Sequence, residues 1–64
     1  MTATEVQVSL TADDLALLIE LVEREQGELP TEIHHTRTRV MRDKLHHRQQ
    51  KLEDLMVRLR SISS

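Results

Sequence analysis

Four histidines in two adjacent pairs, His34-His35 and His46-His47, are the residues of this chain that most suggest chemistry. Imidazole is a common metal ligand, but ligands from one helix share an ion only when they stand three or four residues apart. Neighbouring helical residues point about 100° apart, so neither pair can close on a metal alone. One better spacing is present. Glu32-Ile33-His34-His35 contains Glu-x-x-His, the element that di-iron helical bundles use twice. A full site of that kind needs a second such element and two further carboxylates, and Asp43-Lys44-Leu45-His46 is only a distant imitation. No nucleophile, base and orienting group cluster in the chain. The expectation is therefore no metal, no cofactor and no catalysis.

The elements that would position these histidines follow from hydrophobic periodicity. Leu15, Ile19, Val22, Gln26, Leu29 and Ile33 recur in alternating steps of four and three, in phase through both Gly27 and Pro30. Met41, Leu45, Arg48, Leu52, Leu55, Leu59 and Ile62 repeat the alternation downstream, and between the stripes every residue but Val40 is polar. Gly27 and Pro30 are the strongest chain breakers, so a turn at 27–30 competes with one at 36–38. Folding about position 37 sets Ile33 against Met41, Leu29 against Leu45, Val22 against Leu52, Ile19 against Leu55 and Leu15 against Leu59. Folding at 27–30 would instead set Val22, Ile19 and Leu15 against residues near His35, Thr38 and Arg42. The reading is an all-α antiparallel two-helix hairpin occupying 1–64 as one domain. Helix 1 covers 12–35 with a kink near 27–30, the turn is 36–38, and helix 2 covers 38–61. Pro30 removes one backbone hydrogen bond, and Thr36 or Thr38 caps the second helix. The two histidine pairs then lie at different heights and cannot converge within one chain.

In this register Gln26 faces Arg48, a polar layer in an aliphatic seam. It reads as a device that fixes alignment, with Arg48 able to reach Glu23 or Glu25. Charge is divided between the helices. Asp13, Asp14, Glu20, Glu23, Glu25, Glu28 and Glu32 oppose Arg24 alone in the first; Arg37, Arg39, Arg42, Lys44, Arg48, Lys51, Arg58 and Arg60 dominate the second. Exposed pairs contribute only about 0 to 1 kcal/mol each, but their sum favours an antiparallel hairpin.

Leu10-Thr11-Ala12-Asp13-Asp14-Leu15 is a helix start: Thr11 as N-cap, Asp14 in the capping-box position, and Leu10 placed to staple onto Leu15. Ahead of it, Glu5-Val6-Gln7-Val8-Ser9-Leu10 alternates polar and apolar, the pattern of a short half-buried strand. This extended segment, within 1–10, has no partner strand in the chain. It either pairs with its twin across a dimer axis or lies along the helices with Val6, Val8 and Leu10 covering apolar surface.

Sixty-four residues barely support one core, and association commonly supplies the rest. Helix 1 also carries Leu17, Leu18 and Leu21, with Met56 and Val57 at matching height on helix 2. A hairpin buries one stripe per helix, and each large side chain left in water forgoes about 1.5 to 3 kcal/mol. A homodimer forming a four-helix bundle is expected, tightest away from the turn, with an interface drawn from Leu15, Leu17, Leu18, Leu21, Val22, Leu52, Leu55, Met56 and Leu59. Cover by the chain's own N-terminal segment is the competing arrangement. Cysteine is absent, so no disulfide or oxidising compartment is indicated. No apolar run suits a bilayer and no signal peptide is present, which makes a cytoplasmic location the default. Aromatic residues are also absent, removing the usual stacking platforms for single-stranded nucleic acid.

Two resemblances concern the whole pattern. Leu10-Thr11, an apolar helix, Glu32-Ile33-His34-His35-Thr36, then Arg42, Leu45, Arg48, Leu52 and Leu55 resembles a group of small uncharacterised bacterial helical-hairpin proteins. That resemblance implies a hairpin fold and no particular activity; Met41 stands where an aromatic residue is expected in such proteins. The order Val6-Gln7-Val8, a helix, Gly27, then Thr31-Glu32-Ile33 more weakly resembles ribbon-helix-helix DNA-binding proteins, which implies a dimeric regulator or antitoxin. In that family outward strand residues enter the major groove, and Glu5, Gln7 and Ser9, or Val6 and Val8, lack the basic groups that phosphate and base contacts need. The expected function is a protein-binding or assembly module, with the DNA-binding regulator as the alternative.

Overall fold

A computed structural model describes residues 4–63. Two helices, α1 (Ala12–His35) and α2 (Arg39–Ser63), form the chain, with no strand among the described residues. The start of α1 is fixed by local chemistry. Thr11 is extended (φ −78°, ψ 167°), its Oγ1 accepts from the Asp14 N–H at 3.0 Å, and the Asp14 carboxylate accepts from the Thr11 N–H at 3.2 Å. Two of the helix's orphan donors are satisfied in this reciprocal way.

α1 runs without interruption through Gly27 and Pro30. Proline brings no N–H, so the Gln26 carbonyl loses its usual helical donor. The in-phase stripe on either side supplies the packing that carries the helix past this defect. Val22 and Leu29 are buried, while Leu15, Ile19, Gln26 and Ile33 are half-buried. The chain reverses at residues 36–38. Thr36 acts on the helix behind it rather than the one ahead: its Oγ1 donates to the Glu32 carbonyl at 2.7 Å and its N–H to Ile33 at 3.2 Å. The Arg42 guanidinium then donates to the Thr36 carbonyl at 3.3 Å, tying α2 back to the turn. Thr38 contributes its carbonyl, which accepts the Arg42 N–H at 3.0 Å. Helix 2 begins one residue later and ends two residues later than its pattern suggests.

The core lies in the half away from the turn. Val22, Met56 and Leu59 form its centre, with Leu15, Leu18, Ile19 and Leu52 packed against them. Leu29 is fully buried nearer the turn. The face of α2 turned inward is rotated from the expected one. Leu45, Gln49, Leu52, Met56 and Leu59 are the inward residues, whereas Arg48 and Leu55 are exposed and Met41 is 49% exposed. Both sets share the heptad spacing and differ only in which of two adjacent residues turns inward. Placing Arg48 in an aliphatic seam would desolvate a charge; a neutral Gln49 amide there leaves the guanidinium in water. The polar layer expected of Gln26 and Arg48 is corrected accordingly.

The N-terminal segment is a second correction. Residues 4–10 adopt no regular element, and Val6 and Val8, expected to lie against the helices, are 79% and 71% exposed, with Leu10 at 43%. The molecule measures 40 × 30 × 15 Å, its least dimension little more than one helix diameter. Its radius of gyration is 14.0 Å, against about 10.7 Å for a compact domain of this length. Its accessible surface is 5780 Å², against about 4,200 Å² for a compact monomer of this mass. The exposed N-terminal segment accounts for part of that excess, and the thin hairpin for the rest.

Candidate functional site

Side-chain pairing between the helices distinguishes two edges of the hairpin. On one, the Arg48 Nε donates to the Glu25 Oε1 at 2.7 Å; on the other, the Arg60 guanidinium meets the Glu23 Oε1 at 3.1 Å. Helical spacing assigns neighbours to each edge, because residues three, four and seven apart share a face. Ala16, Glu20 and Gly27 share the edge of Glu23, while Glu53 and Val57 share that of Arg60. Val57 is the one large exposed apolar residue of that edge among the described residues.

The Arg48 edge is different. Leu17 and Leu21 precede Glu25 at steps of four, and Leu55 and Ile62 follow Arg48 at steps of seven. These four are 54%, 46%, 40% and 67% exposed, and Met41 continues the row toward the turn. An open groove of about 340 Å³ runs between the helices here, floored by Val22 and Leu52 and flanked by Leu21, Glu28 and the Glu25–Arg48 pair. The groove and the apolar row form one continuous face. It contains no cluster of groups suited to acid–base or nucleophilic work, and what it offers is apolar area rimmed by charge.

The residues expected at a partner interface divide into two groups. Leu15, Leu18, Val22, Leu52, Met56 and Leu59 pack within their own hairpin. Leu17, Leu21 and Leu55 remain on the open edge. Ile62 joins them, although the sequence pattern counts it with the inward stripe. Its position one heptad beyond Leu55 was the available signal, since both follow Arg48 to the edge.

The histidines gather no site. His34 and His35 sit at the end of α1 with their rings edge to face, centroids 5.4 Å apart. No group of three or more metal-capable side chains occurs among the described residues. Nor is any helix among the described residues long and apolar enough to cross a membrane. No family model, curated protein or solved structure matches the chain.

Proposed function

We propose that this protein is a non-catalytic protein-interaction module that assembles with a second copy of itself into a four-helix bundle. The observation that carries this reading is the open edge: Leu17, Leu21, Leu55 and Ile62 lie in one row on a layer only 15 Å thick. A single layer of helices has nothing with which to cover a second apolar face, and stacking two such layers covers both at once. Specific interfaces bury about 1,200–2,000 Å² in total. Roughly half of that per chain is within the surface excess of the hairpin over a compact monomer. The residues at the interface in this reading are Leu17, Leu21, Leu55 and Ile62, with the core leucines beneath them supporting the face. A cytoplasmic location belongs to the same proposal, supported by the absence of cysteine.

The regulator reading has weaker support. A ribbon that enters DNA needs strands and basic outward residues, whereas residues 4–10 form no strand in the chain and carry only Glu5 as a charged group. Sedimentation equilibrium with interference optics tests the assembly reading, since the chain lacks Trp and Tyr. Twice the 7.5 kDa chain mass, reached reversibly with concentration, is the expected result. A monomer at all concentrations would leave the open edge to a different protein.

A further inference from the structure

Two hairpins can stack open edge on open edge in two symmetric ways, and the charges bordering that edge choose between them. In one arrangement the two-fold axis runs along the helices, so both turns lie at the same end and α1 of each copy lies over α2 of the other. In the second the axis runs across the helices, the turns lie at opposite ends, and α1 meets α1 while α2 meets α2. Both are isologous, and both bury the same leucines.

The borders of the face are charged in opposite senses. Beside Leu17 and Leu21, α1 carries Asp14, Glu28 and Glu32, related to Leu21 or to one another by steps of four or seven. Beside Leu55 and Ile62, α2 carries Lys44, Lys51 and Arg58 at successive sevens, all exposed. Among the described residues, none of these six forms an ion pair within its own chain; the pairs across the hairpin are Arg48–Glu25 and Arg60–Glu23. The crossed-axis stack would set the acidic border on its own copy and the basic border on its own copy. Like charges opposed across an interface cost several kcal/mol and suppress that pairing.

Resting on the assembly proposed above, we infer that the dimer forms with both turns at one end, α1 of each protomer lying along α2 of its partner. Antiparallel registry about the turn brings the two ends of the basic border beside acidic residues at nearly the same height on the other chain. Lys44 stands between the levels of Glu28 and Glu32, and Arg58 within two residues of the level of Asp14; Lys51 stands between the levels of Leu21 and Glu25, whose carboxylate already holds Arg48 of its own chain. Hydrophobic area drives the association, and charge fixes its orientation.

The test places a nitroxide on Arg37→Cys, in the exposed turn of the otherwise cysteine-free chain, and reads inter-label distances by pulsed dipolar spectroscopy. With the turns together, the labelled backbones lie within roughly two interhelical spacings of about 8–10 Å. With the turns apart, the 24 residues of α1 separate them by about 36 Å or more. A short distance is the expected result. A long distance overturns the orientation while leaving a dimer. A monomeric mass with no dipolar modulation overturns the assembly and the orientation together.

Discussion

Trimming the open edge gives the sharpest test of what that edge does. Leu17 and Leu21 are 54% and 46% exposed, so their uncovered surface amounts to one whole leucine side chain per protomer and two per dimer. At about 1.5 to 3 kcal/mol for each fully buried side chain, hiding that surface contributes about 4 kcal/mol to association. Alanine keeps the β-carbon, so Leu17→Ala with Leu21→Ala removes about 3 kcal/mol, a loss of about a hundredfold in dimer affinity. Alanine is also the best helix former, so α1 itself is not weakened. The assay is sedimentation equilibrium on both proteins, with far-ultraviolet circular dichroism as the control for helix content. Where folding and dimerisation are coupled, the loss also appears as a melting temperature that falls more steeply on dilution. A change of less than about threefold, near 0.6 kcal/mol, with helicity intact would refute the claim that these leucines are covered by a second copy. Leu18→Asp would be a poor substitute for this experiment. Leu18 packs against the hairpin's own core, so a charge there would disrupt the monomer before it reported on any partner.

Two further predictions concern the hairpin itself. Thr11→Ala removes the hydroxyl that accepts from Asp14 and should cost about 1 kcal/mol; thermal melting should fall by about 4–8 °C for a domain of this size. Gly27→Ala should raise stability by about 0.5–1 kcal/mol. The glycine lies in the interior of α1 without a positive φ, and a β-carbon built there meets nothing within 4 Å. Urea unfolding at fixed protein concentration measures this gain, and a loss of stability would show that the open space around Gly27 is filled in the assembled protein.

The hairpin was legible in the residues because its signals are local or periodic. Thr11 and Asp14 meet three residues apart, and the stripe from Leu15 to Ile33 holds its phase through Pro30. That continuity identified 36–38, rather than the stronger breakers at 27–30, as the turn. The rotation of α2 was not legible. Arg48 and Gln49, like Leu55 and Met56, offer equivalent heptad patterns, and the hydrophobic count hardly separates them. Tertiary packing chose between them: the inward arc of α1 includes Leu18 as well as Val22, Met56 fills the space against it, and the Arg48 guanidinium stays in water beside Glu25. Nor could alternation in Val6, Val8 and Leu10 reveal their surroundings, because a strand exists only when another backbone supplies its hydrogen bonds. The sequence by itself determined which residues are helical and where the chain reverses, through short-range capping and a period of 3.5. Only the tertiary structure decided which leucines one hairpin keeps and which it leaves open, because that depends on the rotation of two packed helices about their own axes.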